Sequence, residues 1–455
     1  MINRVKHVHF VGIGGCGMSG IAEILLCSGY KVSGSDISSS SVTERLAKIG
    51  VTVFKGHSKH NITGADVVVY SSAVKLDNPE LVEAAEHHVP VLRRAEMLGQ
   101  LMRMKFSIAV AGTHGKTSTT SIIGKLLSDG NYDPSVIVGG VARRTETGAV
   151  MGASKFMVVE ADEFDRSFLK MPPSIAVMTT LESEHLDCYK DIDDIKDAFV
   201  GFAEQVPFFG CIILCIDEPS LISLIPRLRK NVVLTYGFSA QADYRCVERI
   251  FTGTGTQFKV AYKGNVLGNV KLNVPGDHNV KNAMAAISVA LEMGMPFEKI
   301  ADSLSGFENM RRRFEIKGEK KGIMVVDDYA HHPTEIKATL QAAKDTYGRR
   351  VVAIFQPHLY SRTRDFCMDF GSSFINADVL IVTDVYASRE APIPGVTGQL
   401  VADAAIEYGH HKVKYITDKQ EIVRYLCEKC KEGDIVITMG AGDIWKCGEN
   451  LLEAI

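Results

Sequence analysis

The stretch FSIAVAGTHGKTSTTSIIGKLL, residues 106–127, decides the fold. It opens as a strand, turns through Gly112 and Gly115, and runs through Lys116 and Thr117 into a helix-like segment. Such a turn is a phosphate cradle. Backbone N–H groups wrap the oxygens, the lysine reaches the outer ones, and the threonine hydroxyl is suited to Mg2+. The spacing is G-x-x-G-K-T, with Val110 where the longer Walker A form has its first glycine. ATP is the expected ligand, held by Gly112, Thr113, His114, Gly115, Lys116, Thr117 and Ser118.

A second glycine turn lies upstream, in HVHFVGIGGCGMSGIAEILL, residues 7–26. Gly12, Gly14 and Gly17 form G-x-G-x-x-G between a strand-like and a helix-like run. The first permits the tight turn, the second admits a diphosphate, and the third lets helix and strand pack closely. Asp36 closes the next strand, where a ribose-binding carboxylate would stand. Alone, this pattern points to NAD or FAD and a dehydrogenase. Beside the ATP turn, it fits a different nucleoside diphosphate, and the pair suggests an enzyme that spends ATP on a nucleotide-linked substrate. A nucleotide-gated binding module without chemistry is the third reading.

Strand-like and helix-like runs alternate along almost the whole chain, which predicts parallel sheets with helices on both faces. At 455 residues the chain exceeds one ordinary core. The expected architecture is α/β in three domains. Residues 1–103 form an N-terminal Rossmann-like domain. Residues 104–312 form a central P-loop-type ATPase domain, whose parallel sheet is joined by a small antiparallel sheet over 243–275. Residues 313–455 form a C-terminal Rossmann-like domain.

Composition is that of a globular protein, 46% apolar and 23% charged. A net charge of −3 gives no electrostatic footprint for nucleic acid or an anionic membrane. No apolar run of membrane-spanning length and no signal-peptide pattern occurs, so a cytoplasmic location is expected. The ten cysteines are scattered, and the single CxxC, Cys427 and Cys430, ends a helix-like segment without further metal ligands nearby. Ordinary reduced thiols are expected.

Carboxylates gather after two strand-like runs. VVEADEFDRSF holds Glu160, Asp162, Glu163 and Asp165; TTLESEHLD holds Glu182, Glu184, His185 and Asp187. Nucleotide chemistry needs such groups to hold divalent metal. Glu160 directly follows the strand and should point reproducibly, whereas Asp162, Glu163 and Glu184 read individually as solvated loop charges. Further on, DDYAHHPTE and FQPHLYSRTRDF bring His331, His332, His358, Arg362 and Arg364, a basic cluster suited to a carboxylate.

These segments, with SSAVKLDNPE, PGDHNVKNAMAA, RRRFE, DVYASREAPIPG and MGAGDIW, resemble the Mur ligase family in order along essentially the whole chain. The resemblance implies that ATP phosphorylates the lactyl carboxylate of UDP-N-acetylmuramate and that the amine of L-alanine attacks the acyl phosphate. A ready-made tripeptide, L-Ala-γ-D-Glu-meso-diaminopimelate, is the alternative acceptor. It assigns Gly12, Gly14, Gly15, Gly17, Asp36, Ser71 and Ser72 to the UDP-sugar. It assigns His278 and Asn282 to ATP, and His331, His358 and Arg362 to the amino acid. Lys116, Glu160, His185 and Arg313 become the catalytic set. Thr117, Glu160 and His185 become ligands of two Mg2+ ions, with Mn2+ as a substitute. A monomer or weak homodimer is expected. Thr180, Glu184 and Leu359 depart from the family pattern, where asparagine, aspartate and arginine are usual. Residues 197–229 contain no lysine, which fits a branch using histidine rather than a carbamylated lysine as metal ligand.

Overall fold

The computed structural model describes residues 4–71, 73–139, 149–183, 188–253, 255–388 and 390–455. Its contacts divide the chain into two compact units. The first holds 1–247, 260–268 and 281–303; the second holds 248–259, 269–280 and 304–455.

In the first unit, β1 (His7–Val11), β2 (Lys31–Asp36), β3 (Thr52–Lys55), β4 (Val67–Tyr70) and β5 (Val91–Arg93) form a sheet ordered β3-β2-β1-β4-β5. Every pair in it is parallel. β1 is buried throughout, as a central parallel strand covered on both faces must be. Its two histidines are accommodated by pairing. His9 bonds Ser33 at 2.8 Å and Glu80 at 3.3 Å. The Glu80 carboxylate also accepts from Ser35 at 2.6 Å, Asn61 at 2.6 Å and the Ser58 backbone at 3.1 Å. A buried carboxylate persists when its lone pairs are satisfied in this way.

A second sheet comprises β6 (Phe106–Ala111), β7 (Ser135–Ile137), β8 (Ala149–Val150), β9 (Phe156–Glu160), β10 (Ile175–Met178), β11 (Cys211–Cys215) and β12 (Val232–Gly237). It continues through β13 (Tyr244–Thr252), β14 (Gly255–Tyr262) and β15 (Asn265–Leu272). Its order is β15-β14-β13-β12-β11-β10-β6-β9-β7-β8. The inner strands are parallel, and β10 and β11 are buried at every position. The turn-rich stretch 243–275 therefore folds as strands that extend the central sheet. Asp243 ties the join by accepting from the Thr235 backbone at 2.9 Å and its hydroxyl at 2.8 Å. Lys263 and Gly264, at φ 47° and 84°, make the two-residue hairpin turn between β14 and β15.

In the second unit, β16 (Glu315–Lys320), β17 (Ile323–Asp328), β18 (Arg350–Phe355), β19 (Val379–Val382), β20 (Val413–Tyr415) and β21 (Asp434–Met439) are ordered β16-β17-β21-β18-β19-β20. All pairs are parallel except the β16–β17 hairpin, so this sheet is mixed. Alternate residues feed two cores. Val326, Ala353, Phe355 and Ile437 face one; Val325, Val352, Ile354 and Val436 face the other.

Candidate active site

β6 delivers the chain to the turn 112–115, and the helix Lys116–Asp129 leaves it. Gly112 and Gly115 take φ of 143° and 80°. A Cβ on Gly112 would stand 2.1 Å from Thr179 Oγ1, and one on Gly115 would stand 2.4 Å from Asn282 Oδ1. Both positions therefore exclude a side chain by conformation and by space.

The end of β10 braces this turn. The Thr180 hydroxyl accepts from His114 N–H at 2.8 Å and pairs with the Thr113 hydroxyl at 2.8 Å. Thr179 donates to the His114 carbonyl at 2.5 Å. Thr180, the departure from the family pattern, is thus a structural member of the loop. His114 Nε2 lies 3.5 Å from the Glu182 carboxylate. Ser118 is buried on the first helical turn, and Asn282 accepts from Thr119 Oγ1 at 3.3 Å.

Lys116 Nζ donates to the Gly112 carbonyl at 2.7 Å and to both oxygens of Glu163, at 3.0 and 2.8 Å. Burial opposes its charge, but Glu163, Asp162 and Glu160 outweigh burial and hold the ammonium above the ordinary lysine range. The Glu163 side chain is 1% exposed. It is no solvated loop charge, and that expectation is corrected: an adjacent buried ammonium draws the carboxylate inward. Thr117 Oγ1 donates to both oxygens of Glu160 at 3.0 Å, and Gly139 N–H donates to one of them at 2.7 Å. His185 and its neighbour Glu184, like Ser72, lie outside the described residues.

At the upstream glycine turn, Gly15 caps the helix Cys16–Cys27. The N–H groups of Gly12 and Ile13 both donate to the Ser35 carbonyl. Asp36 accepts from Gly14 N–H at 2.8 Å, so its carboxylate fixes the loop itself. Ser71 follows β4 and receives the neighbouring Ala73 N–H at 3.3 Å. The Arg94 guanidinium lies against Gly17, with Nη1 2.7 Å from where a Cβ would stand. Nothing in the glycine pattern singles out Arg94. The signal was only its place at the start of the helix Arg94–Arg103.

The second unit gathers the basic residues. His331 stands edge-on to His358, with ring centres 5.5 Å apart, and Arg362 Nη1 lies 3.5 Å from His358 Nδ1. Tyr386 stacks on His358, and Glu335 accepts from the His331 backbone at 3.0 Å. Burial, reinforced by Arg362 and His358 and opposed by Glu335, pushes the His331 imidazole down to about 3. It is neutral at physiological pH. Arg313 covers the Tyr329 ring at 5.4 Å and lies 3.9 Å from Glu335. Its neighbours Arg312 and Phe314 hold φ of 61° and 44°, and Asp328 clamps Phe314 N–H at 2.8 Å and Ala330 N–H at 2.7 Å. His278, also in this unit, packs on Gly276. Leu359 takes φ 68° as the residue that caps the helix Tyr360–Asp365, which carries Arg362 and follows directly on His358 and Leu359.

The described cysteines are all free thiols, and Cys430 follows the helix Lys419–Lys429.

Three family models match the chain in succession. These are Mur ligase family, catalytic domain, over residues 7–106; Mur ligase middle domain over 110–290; and Mur ligase, glutamate ligase domain, over 312–442. A UDP-N-acetylmuramate–L-alanine ligase of Geotalea uraniireducens is 50% identical over 455 residues, covering 100% of this chain and 99% of that protein. The crystal structure of a UDP-N-acetylmuramate–alanine ligase from Thermotoga maritima has a TM-score of 0.80 at 28% identity, covering 99% of both chains. A murein peptide ligase of Psychrobacter arcticus gives a TM-score of 0.68 at 25% identity, covering 99% and 98%.

Proposed function

The chain belongs to the Mur ligase family, and from that premise we propose that it joins L-alanine to the lactyl carboxylate of UDP-N-acetylmuramate at the expense of ATP. This is a step in building the peptidoglycan precursor. The observation that carries the proposal is the Lys116–Thr117 turn backed by Glu160 and Glu163, in a chain similar at full length to alanine ligases. Relatives at 50% identity are alanine ligases, and the murein peptide ligase structure is less similar than the alanine ligase structure, with a TM-score of 0.68 against 0.80.

In this reaction the γ-phosphoryl group passes to a carboxylate oxygen, giving an acyl phosphate and ADP. The amine of L-alanine then attacks the carbonyl carbon, the C–O bond to phosphate breaks, and the amine gives up its proton as the amide forms. Lys116 carries its charge to the transferring phosphoryl group. The upstream turn, with Asp36 fixing its backbone and Arg94 beside it, receives the UDP diphosphate. In the second unit His331, His358 and Arg362 take the amino acid, the guanidinium matching its carboxylate. Arg313 is the further cation proposed for the phosphates.

The Thr117 hydroxyl and the Glu160 carboxylate, which already meet, are hard oxygen donors of the kind Mg2+ takes, with His185 as a further ligand. When bound, Mg2+ supplies charge neutralisation where carboxylate and γ-phosphate approach. Two such ions are proposed, as is a cytoplasmic location. Among the described residues no helix is long and apolar enough to cross a membrane.

The test is mass spectrometry of the product from ATP, UDP-N-acetylmuramate and an equimolar mixture of L-alanine and the tripeptide, with phosphate release followed in parallel. A mass gain of one alanine, and release that depends on L-alanine, are expected. Tripeptide addition would replace the proposal with its alternative, and release indifferent to either acceptor would end it.

A further inference from the structure

Glu163 belongs neither to the glycine turn nor to the proposed metal ligands, yet both its carboxylate and its backbone are held. Its carboxylate holds Lys116 Nζ through both oxygens, at 3.0 and 2.8 Å, with a side-chain exposure of 1%. Its backbone is held as firmly. The Glu163 carbonyl accepts from the Tyr189 hydroxyl at 2.7 Å and from Arg166 N–H at 3.0 Å. The next turn contains Asp165 and Arg166 at φ 59° and 53°, a strained conformation that persists where the surroundings enforce it. They do so here. Arg166 pairs with Asp194 at 2.5 Å and covers the Tyr189 ring at 4.7 Å, and Ser167 donates to the Asp162 carbonyl at 3.0 Å. Phe168 anchors the segment against Phe199 and Phe202.

This construction fixes one rotamer of a lysine that would otherwise be free. It also sets a full negative charge where a triphosphate must compete for the same ammonium. We propose that Glu163 is a positioning residue for Lys116. It aims the ammonium at the Gly112–Gly115 turn and competes with the phosphates for it, so that Lys116 does not spend its full attraction on bound ATP. The inference rests on the ligase reading given above. An interaction withheld from the ground state and released to the transition state raises turnover at the expense of nucleotide affinity. Removing the competitor should therefore lower both KM for ATP and kcat.

The experiment compares the full chain with Glu163→Gln, which keeps the shape and removes the charge, and Glu163→Asp, which keeps the charge. Calorimetry with a non-hydrolysable ATP analogue and with ADP, both with Mg2+, gives affinities. Alanine-dependent phosphate release gives kcat and KM. For Glu163→Gln, the analogue is expected to bind about threefold tighter or more, ADP to change less, and kcat to fall about tenfold. Glu163→Asp should return both quantities toward the parent. Unchanged or weaker analogue binding by Glu163→Gln would overturn the inference, as would a kcat within twofold of the parent. If the parent chain releases no phosphate with alanine, the ligase reading fails separately, and the affinities still decide the role of Glu163.

Discussion

Thr117 donates its hydroxyl to Glu160, with both carboxylate oxygens 3.0 Å away. The first residue after the cradle lysine and the last residue of β9 thus meet, although 43 positions separate them. The parallel pairing of β6 and β9 brings this about, because it sets Val110 opposite Glu160. Replacing Thr117 by valine keeps the shape and removes the oxygen. We expect kcat to fall by about a hundredfold or more, as when other oxygen or donor groups facing developing charge are lost. The half-saturating Mg2+ concentration should rise as well. Steady-state phosphate release over a Mg2+ series measures both, and an unaltered Mg2+ dependence would remove Thr117 from the metal site.

Gly115→Ala tests the turn. The new methyl would meet Asn282 Oδ1 at 2.4 Å on a backbone at φ 80°. The expected result is a loss of about 1–3 kcal/mol in stability together with loss of ATP-analogue binding. Urea unfolding and calorimetry on one preparation separate the two effects.

Arg94→Met addresses the other nucleotide. It keeps the aliphatic stem and deletes the charge beside Gly17. A charge-assisted contact of about 1.5–3 kcal/mol should vanish, raising KM for UDP-N-acetylmuramate about tenfold or more and leaving KM for ATP within twofold. Equal increases in both would point to general damage instead.

His331 predicts a pH dependence of stability. Its imidazole is held down to about 3, below the unfolded value of 6.5, chiefly by burial. The unfolded chain therefore binds a proton that the folded one refuses. Stability contributed by the neutral ring is full above 6.5 and is lost as pH falls toward 3. The slope is about 1.4 kcal/mol per pH unit for one proton. His331→Asn should flatten that part of the curve, read by denaturant unfolding at pH 6, 5 and 4 against the parent.

Glu80 works in the same direction. Burial opposes its charge, but the bonds from His9, Ser35 and Asn61 prevail and keep the carboxyl below its ordinary value of 4.5. Its contribution is present above that value and disappears as pH falls through the lowered one. Glu80→Ala would strand its donors in the core and should cost about 3–5 kcal/mol, measured by urea unfolding at neutral pH.

Much of this was legible in the sequence. Glycine spacing, β–α alternation and apolar strand runs suffice for an α/β fold in three domains and for two glycine turns between strand and helix, because each is a local pattern with a local cause. The loss occurs where geometry is not local. In EADEFD no periodicity tells which acid turns inward, and Glu163 does so because Lys116 waits there. Asp36 bonds the loop backbone because β2 ends beside Gly14. Arg94 reaches Gly17 from a helix that begins far along the chain, and Tyr386 reaches His358 from the next strand's end. Thr180 looked like a departure from pattern, yet its hydroxyl does the bracing that the turn requires.

That brace has a consequence for synthesis. The turn leaves the ribosome long before the residues that shape it. Thr180 follows His114 by 66 positions, and Asn282 follows Thr119 by 163. At about 5–20 residues per second, Asn282 arrives roughly 8–30 s later. The bracing of the turn is therefore a late acquisition of the nascent chain, and a ribosome stalled before codon 180 would display the glycine loop without the hydrogen bonds of Thr180.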